Sequence, residues 1–144
     1  MTRARAAVLS VVDAAARPLA AADVASALSG ACDQATVYRA LHYLEDSGDL
    51  ESFVLYCAEL GVVRYYVTRK TAHRHWFHCE SCHRFIDIGA CKVGGLVSKV
   101  EKELGARVSQ HTFNMIGLCS ECLGADSGEG ARRGPAGNKH RDSL

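Results

Sequence analysis

The stretch DQATVYRALHYLEDSGDL, Asp33 to Leu50, decides the fold. Asp33 is a strong helix N-cap residue, because its carboxylate can accept from the free N–H groups of a first turn. Val37, Ala40, Leu41 and Leu44 then recur at helical spacing, and Gly48 supplies a stop. Ala35, Tyr38, Arg39 and His42 fall on the opposite face. Working outward toward the N-terminus, Val8, Val11 and Val12 mark a helix over Arg3–Ala16, with Ala4 and Ala15 extending its stripe. Pro18 separates it from a short helix carrying Val24, Ala27 and Leu28, which Gly30 ends. Toward the C-terminus, Glu51–Cys57 and Val62–Thr68 are rich in Val, Tyr and Phe and flank a turn ending at Gly61. They predict a β-hairpin. Three short helices followed by a hairpin is the order of a winged helix-turn-helix.

The rest of the chain reads as a second, smaller lobe. Short strands are expected around Trp76–Cys79 and Phe85–Ile88, then a helix over Val93–Leu104 striped by Leu96, Val97, Val100 and Leu104. A strand over Arg107–Leu118 follows. The fold class is α+β, with a winged-helix lobe over residues 1–70 and an α/β lobe over 71–123. Residues 124–144 hold almost no apolar side chain and are expected to be a disordered tail.

Seven cysteines stand among 144 residues. Cys79-Glu-Ser-Cys82 and Cys119-Ser-Glu-Cys122 are each spaced to aim two sulfurs at one ion. Two such knuckles complete a tetrahedron, which suits zinc, and leave no open position for catalysis. The metal is therefore expected to be structural, tying the start of the second lobe to its end. An iron–sulfur cluster could use the same four thiolates. Cys32 and Cys57 read as small buried residues. His73 and His75 alternate along a strand and share a face, His78 points the other way, and His83 reads as surface.

Composition narrows the function. No apolar run approaches the ~20 residues of a membrane span. Asp13 interrupts the N-terminal apolar stretch, so the expected compartment is the cytoplasm rather than an export route. Net charge is +1, and residues 1–50 carry four Arg against six Asp and Glu. A nucleic-acid role must rest on local geometry rather than bulk charge. No positioned nucleophile, general-base pair or open catalytic metal position stands out, so an enzyme is not expected.

Three motifs resemble one family. Thr36-Val37-Tyr38-Arg39, followed by Leu41, Leu44 and Gly48, is similar to the recognition helix of ferric uptake regulators. HRHWFHCESCHRFIDI is similar to their His-rich strand running into a cysteine pair. VSQHTFNMIGLCSEC is similar to the strand with a metal-binding histidine that ends in the second pair. The likeness covers about residues 3–123. It implies a homodimer with an N-terminal lobe that binds double-stranded DNA, a C-terminal dimerisation lobe, and a structural Zn2+ at Cys79, Cys82, Cys119 and Cys122. It also implies a second, regulatory divalent metal whose binding closes the dimer into a repressor. The chain departs from the pattern where Arg74 and Trp76 occupy two usual ligand positions and where the usual acidic ligand falls near Gly94. One sensory site is thus expected to be lost. The other would use His73, His75 and His111, completed by Asp87 or Cys91.

The DNA contacts implied are Ala35, Tyr38, Arg39 and His42. Arg39 meets phosphate, and Tyr38 meets a thymine methyl or a sugar. The reading is a metal-responsive transcriptional repressor. Zn2+ is the first expectation and Fe2+ the second, with Ni2+ also compatible, since histidines with a possible thiolate suit zinc or nickel more than magnesium or calcium. The alternatives are a redox regulator of the same fold triggered at Cys91 or at a metal-bound histidine, and a structural homologue that has lost DNA binding.

Overall fold

The computed structural model describes residues 1–70 and 73–126. Helix α1, Arg3–Ala14, is capped by Thr2, whose hydroxyl accepts from the Arg5 N–H at 3.3 Å, and it buries Val8 and Val12. Strand β1, Leu19–Ala20, leads directly into α2, Ala21–Ala27, where the Asp23 carboxylate reaches back to the Ala20 N–H at 3.0 Å. Helix α3, Gln34–Asp46, starts as its sequence predicts. Asp33 accepts from the Thr36 N–H at 2.9 Å and from its hydroxyl at 2.7 Å. The helix ends in a Schellman turn, with the Asp49 N–H on the Leu44 carbonyl and the Gly48 N–H on the Glu45 carbonyl. That turn needs a left-handed residue, and Gly48 adopts φ +81°.

Val37, Ala40, Leu41 and Leu44 are all buried and form one core with Val8, Val12, Leu19, Val24, Leu50 and Tyr66. The sheet closing this core has the order β1-β3-β2, all antiparallel, with β2 over Leu50–Cys57 and β3 over Gly61–Thr68. Leu41 is fully buried at the centre of α3. Leu41→Ala is expected to cost about 2–5 kcal/mol, from lost transfer free energy plus a cavity. Chemical denaturation at constant m-value checks it.

The second sheet has the order β5-β4-β6. Strand β4, Arg74–Cys79, pairs antiparallel with β5, Phe85–Ala90, and parallel with β6, Met115–Gly117. Helix α4, Gly94–Leu104, lies between β5 and β6 in the chain, and α5, Ser120–Asp126, carries the last cysteine. A second, aromatic core joins the two sheets. Leu55 and Tyr65 of the hairpin pack with Trp76 and Phe85, and Phe85 meets Tyr65 edge-on at 4.8 Å between centroids. No helix among the described residues is long and apolar enough to cross a membrane.

Two expectations are corrected. The strand over Arg107–Leu118 contracts to Met115–Gly117. Upstream of it, the chain is tied to β4 by other bonds: Phe113 gives its carbonyl to His75, and Asn114 gives its side-chain oxygen to the Trp76 N–H. The tail does not begin at Gly124, because α5 continues to Asp126; residues 127–144 lie outside the described residues. The two-residue β1 was not expected at all, since its pairing with Tyr65 and Tyr66 is tertiary.

Candidate metal centres and nucleic-acid interface

The four cysteines of the paired knuckles converge, with their sulfurs all within 4.8 Å of one another. Cys79 ends β4, the central strand of its sheet, and Cys119 follows β6, so the parallel pairing of β4 with β6 brings the knuckles together. The Cys82 and Cys119 sulfurs stand 3.8 Å apart. Zn–S bonds of about 2.3 Å at tetrahedral angles give an edge of about 3.8 Å, so this pair stands at the spacing of one zinc edge. Backbone N–H groups of Cys82, Cys119 and Ser81 point at the Cys79 sulfur and pull its pKa down to about 6, against the opposing effect of burial. Such N–H···S bonds stabilise the thiolate that a metal needs. Arg84 and Glu121 pair across the two knuckles and hold α5 against the first.

A second cluster gathers His73, His75, Cys91 and His111, again within 4.8 Å. The Nε2 atom of His111 is the hub: it lies 3.0 Å from His73 Nε2, 3.4 Å from His75 Nε2 and 3.3 Å from Cys91 Sγ. Zn–N bonds of about 2.0–2.1 Å give tetrahedral edges of about 3.3 Å, so these four donors fit one tetrahedral ion. His75 is oriented for a ligand role. Its Nδ1 lies 2.7 Å from the Phe113 carbonyl, which accepts from Nδ1–H and leaves the Nε2 lone pair for the cluster. Burial lowers the His75 pKa, only partly countered by that carbonyl, so its neutral, ligating form persists into mild acid.

The expected completion of this site divides. Cys91 joins the cluster, whereas Asp87 does not. Asp87 ion-pairs with Arg74 and accepts from the Gly89 N–H at 2.7 Å. In the β4–β5 ladder Asp87 stands opposite Trp76, next to a register shift between His75 and Trp76. Sequence reasoning missed the Phe113 carbonyl. It also missed a cavity of about 800 Å³ beside the cluster, where Glu45, Glu51 and Arg69 of the winged-helix part face His73, His75 and His111. No local pattern announces either feature.

His78, expected off this site, is off it: it is 1% exposed, packs on Phe85 at 4.7 Å, and neither ring nitrogen has a hydrogen-bond partner among the described residues. Burial, and then His83, lower its pKa, so it sits neutral in the aromatic core. His83, expected at the surface, is instead drawn against the hairpin. Cys57 is buried and Cys32 packs at the edge of the first core, as small residues do.

On α3, Ala35, Tyr38, Arg39 and His42 are exposed together, opposite the buried stripe. Arg39 donates to the Thr36 hydroxyl at 3.0 Å, which lays its guanidinium along the helix. Tyr43, absent from the expected set, is also exposed and carries the Arg5 guanidinium over its ring at 3.4 Å. That pairing arises from the packing of α1 on α3 and has no signature within either helix.

Comparison with known proteins bears on the fold and the family. The model of the ferric uptake regulator family matches residues 1–116. The ferric uptake regulation protein of Neisseria meningitidis is 30% identical over 88 residues, which are 61% of this chain and 58% of that protein. The match thus spans less than two thirds of that relative's length. The ferric uptake regulator of Helicobacter pylori, described as having three functional metal-binding sites, superposes with a TM-score of 0.71 at 22% identity, covering 85% of this chain and 81% of its own. A zinc uptake regulator solved with zinc and DNA superposes at 0.59 with 21% identity, covering 88% and 85%. At these identities the two structures speak for the α+β fold, while the family match extends over most of the sequence: the chain belongs to the ferric uptake regulator family.

Proposed function

We propose that this protein is a metal-responsive, DNA-binding transcriptional repressor rather than an enzyme, acting as a homodimer in the cytoplasm. The observation that carries the reading is the convergence of His73, His75, Cys91 and His111 beside a cavity whose other wall belongs to the winged-helix part. In this reading residues 1–70 bind double-stranded DNA and residues 71–123 dimerise. Cys79, Cys82, Cys119 and Cys122 hold a structural zinc. The His3Cys cluster holds an exchangeable ion. Three imidazoles and a thiolate favour Zn2+ over Fe2+, with Ni2+ also accommodated.

Dimerisation is supported by α4. None of its residues is buried, Leu96 is 61% and Leu104 73% exposed, and Ile86 of β5 with Met115 and Ile116 of β6 are exposed as well. An amphipathic helix must bury its apolar stripe, and a second copy of the same surface does so symmetrically.

The DNA face is tested on α3. Arg39→Ala is expected to weaken binding to all sequences and to lower the salt dependence by about one phosphate contact. Tyr38→Ala is expected to shift sequence preference as well. Electrophoretic mobility shifts on the promoter upstream of the protein's own gene, at two salt concentrations, report both. Parental binding by both variants would remove α3 as the recognition helix. One observation favours a second reading: a thiol placed 3.3 Å from the hub histidine is open to peroxide when no metal covers it. Loss of DNA binding on peroxide treatment, restored by a thiol reductant, would select it.

A further inference from the structure

His83 is the only non-glycine residue with a positive φ among the described residues, at +59°. It follows Cys82 in the first knuckle, and its N–H closes the turn on the Cys79 carbonyl at 2.9 Å. The left-handed conformation costs a residue with a Cβ on the order of 1 kcal/mol, which glycine would avoid. A histidine kept there calls for a side-chain reason, since strain of this kind persists where something else over-determines it.

The side chain reaches across to the winged-helix hairpin. Its Nε2 lies 2.9 Å from the Glu59 carboxylate, and its Nδ1 faces the Cys57 thiol at 4.0 Å. Cys57 pairs with Gly61 at the end of the hairpin, and Glu59 lies in the turn between them. One tautomer serves both contacts: Nε2–H donates to Glu59, and Nδ1 accepts from the Cys57 S–H. Behind the ring, His78 stacks at 5.8 Å and 27° between the planes and blocks retreat into the core. The hairpin tip is thus held by a residue whose backbone is set by the zinc knuckle. The aromatic core holds the middle of the same hairpin, through Tyr65 and Leu55, which stand opposite Phe53 and Val63.

We propose that His83 is a positioning residue for DNA binding: through Glu59 and Cys57 it latches the tip of the wing to the structural zinc knuckle. The wing can meet DNA in one pose only while the latch is closed, and its pose depends on the integrity of the four-cysteine site. This rests on the DNA-binding reading above. It goes beyond it by giving the zinc knuckle a second task besides holding the second sheet.

The test uses the zinc-loaded full chain with His83→Gly, His83→Asn and Glu59→Ala. Glycine and asparagine suit the left-handed turn, so zinc content should stay at the parental value. Amides of residues 58–61 should exchange with deuterium about tenfold faster in all three variants, as expected of a freed loop tip. In the two His83 variants the dissociation constant for operator DNA should rise about three- to tenfold. Its salt slope should be unchanged, because no cationic contact to phosphate is removed. Tip exchange at the parental rate in His83→Asn and Glu59→Ala would overturn the latch. Faster tip exchange with unaltered DNA affinity would overturn the positioning role. A parent that binds no DNA would overturn the repressor reading, and the positioning role with it, while the exchange rates still decide the latch.

Discussion

Cys79→Ser is expected to lose the zinc proposed for the four-cysteine site, the second sheet and the proposed dimer together. Cys79 has no exposed surface and ends β4, the only strand of its sheet that pairs with both neighbours. The β4–β6 pairing that brings the knuckles together is three residues long. Such a ladder is too short to hold a sheet by itself. A structural zinc contributes apparent binding free energy of about 10–16 kcal/mol, against a net stability of about 5–15 kcal/mol for a typical domain. Loss of the ion would therefore remove more than the lobe has to spare. Helix α4 and the exposed edges of the sheet would lose the frame that presents them to a second copy. The winged-helix part keeps its own core around Val37, Leu41 and Leu44, so the melt should split into a surviving transition and a lost one. Metal analysis, sedimentation and thermal melting read the three effects on one preparation. A variant that keeps the full dimer and native melting would show that zinc is incidental to the fold.

Helix α3 was legible because everything that makes it is local: the cap at Asp33, the stripe, and the left-handed glycine at 48 all act within a few residues of one another. The knuckles were legible for the same reason, since two-residue spacing is a local geometric demand. What was not legible depended on contacts distant in sequence. The register shift after His75 has no sequence mark, and neither has the pairing of Asp87 with Arg74 rather than with the histidines. The segment before Met115 reads as strand by composition. Its carbonyls and side chains are instead spent on orienting His75 and satisfying Trp76, and those partners lie 38 residues away. Helix α5 was hidden inside a knuckle motif, where metal spacing dominates the reading over helical propensity. The conformation of His83 gave no signal, because nothing in ESCHR distinguishes a histidine held at positive φ from one facing water.

The double variant His73→Ala/His111→Ala is expected to keep its structural zinc yet lose metal-stimulated DNA binding. His111 is the right partner for His73 in this test because its Nε2 is the one donor within 3.4 Å of all three others. Removing both leaves His75 and Cys91, two ligands where a tetrahedral ion needs four. The four-cysteine site shares no residue with the cluster, so its zinc should survive mild chelation in parent and variant alike. In the proposed reading, coupling to DNA follows from where the cluster sits. His73 begins the segment leading into β4, soon after the winged-helix part ends, while His111 belongs to the loop before β6. An ion shared between them ties the entry of β4 to that loop and adds positive charge to a cavity lined by Glu45 and Glu51 of the winged-helix part. If the same closed arrangement binds DNA, metal and DNA must favour each other reciprocally, by about 1–3 kcal/mol or 5- to 150-fold in affinity. Acid should oppose the effect, because only a neutral imidazole ligates. With its pKa lowered, His75 stays available below the ordinary range near ~6.5, and metal affinity falls as pH drops further. Titrating parent and variant with zinc, nickel and iron(II) in the presence of operator DNA reads the coupling directly. A variant that still responds to metal as the parent does would move the sensory site elsewhere and leave these histidines as bystanders.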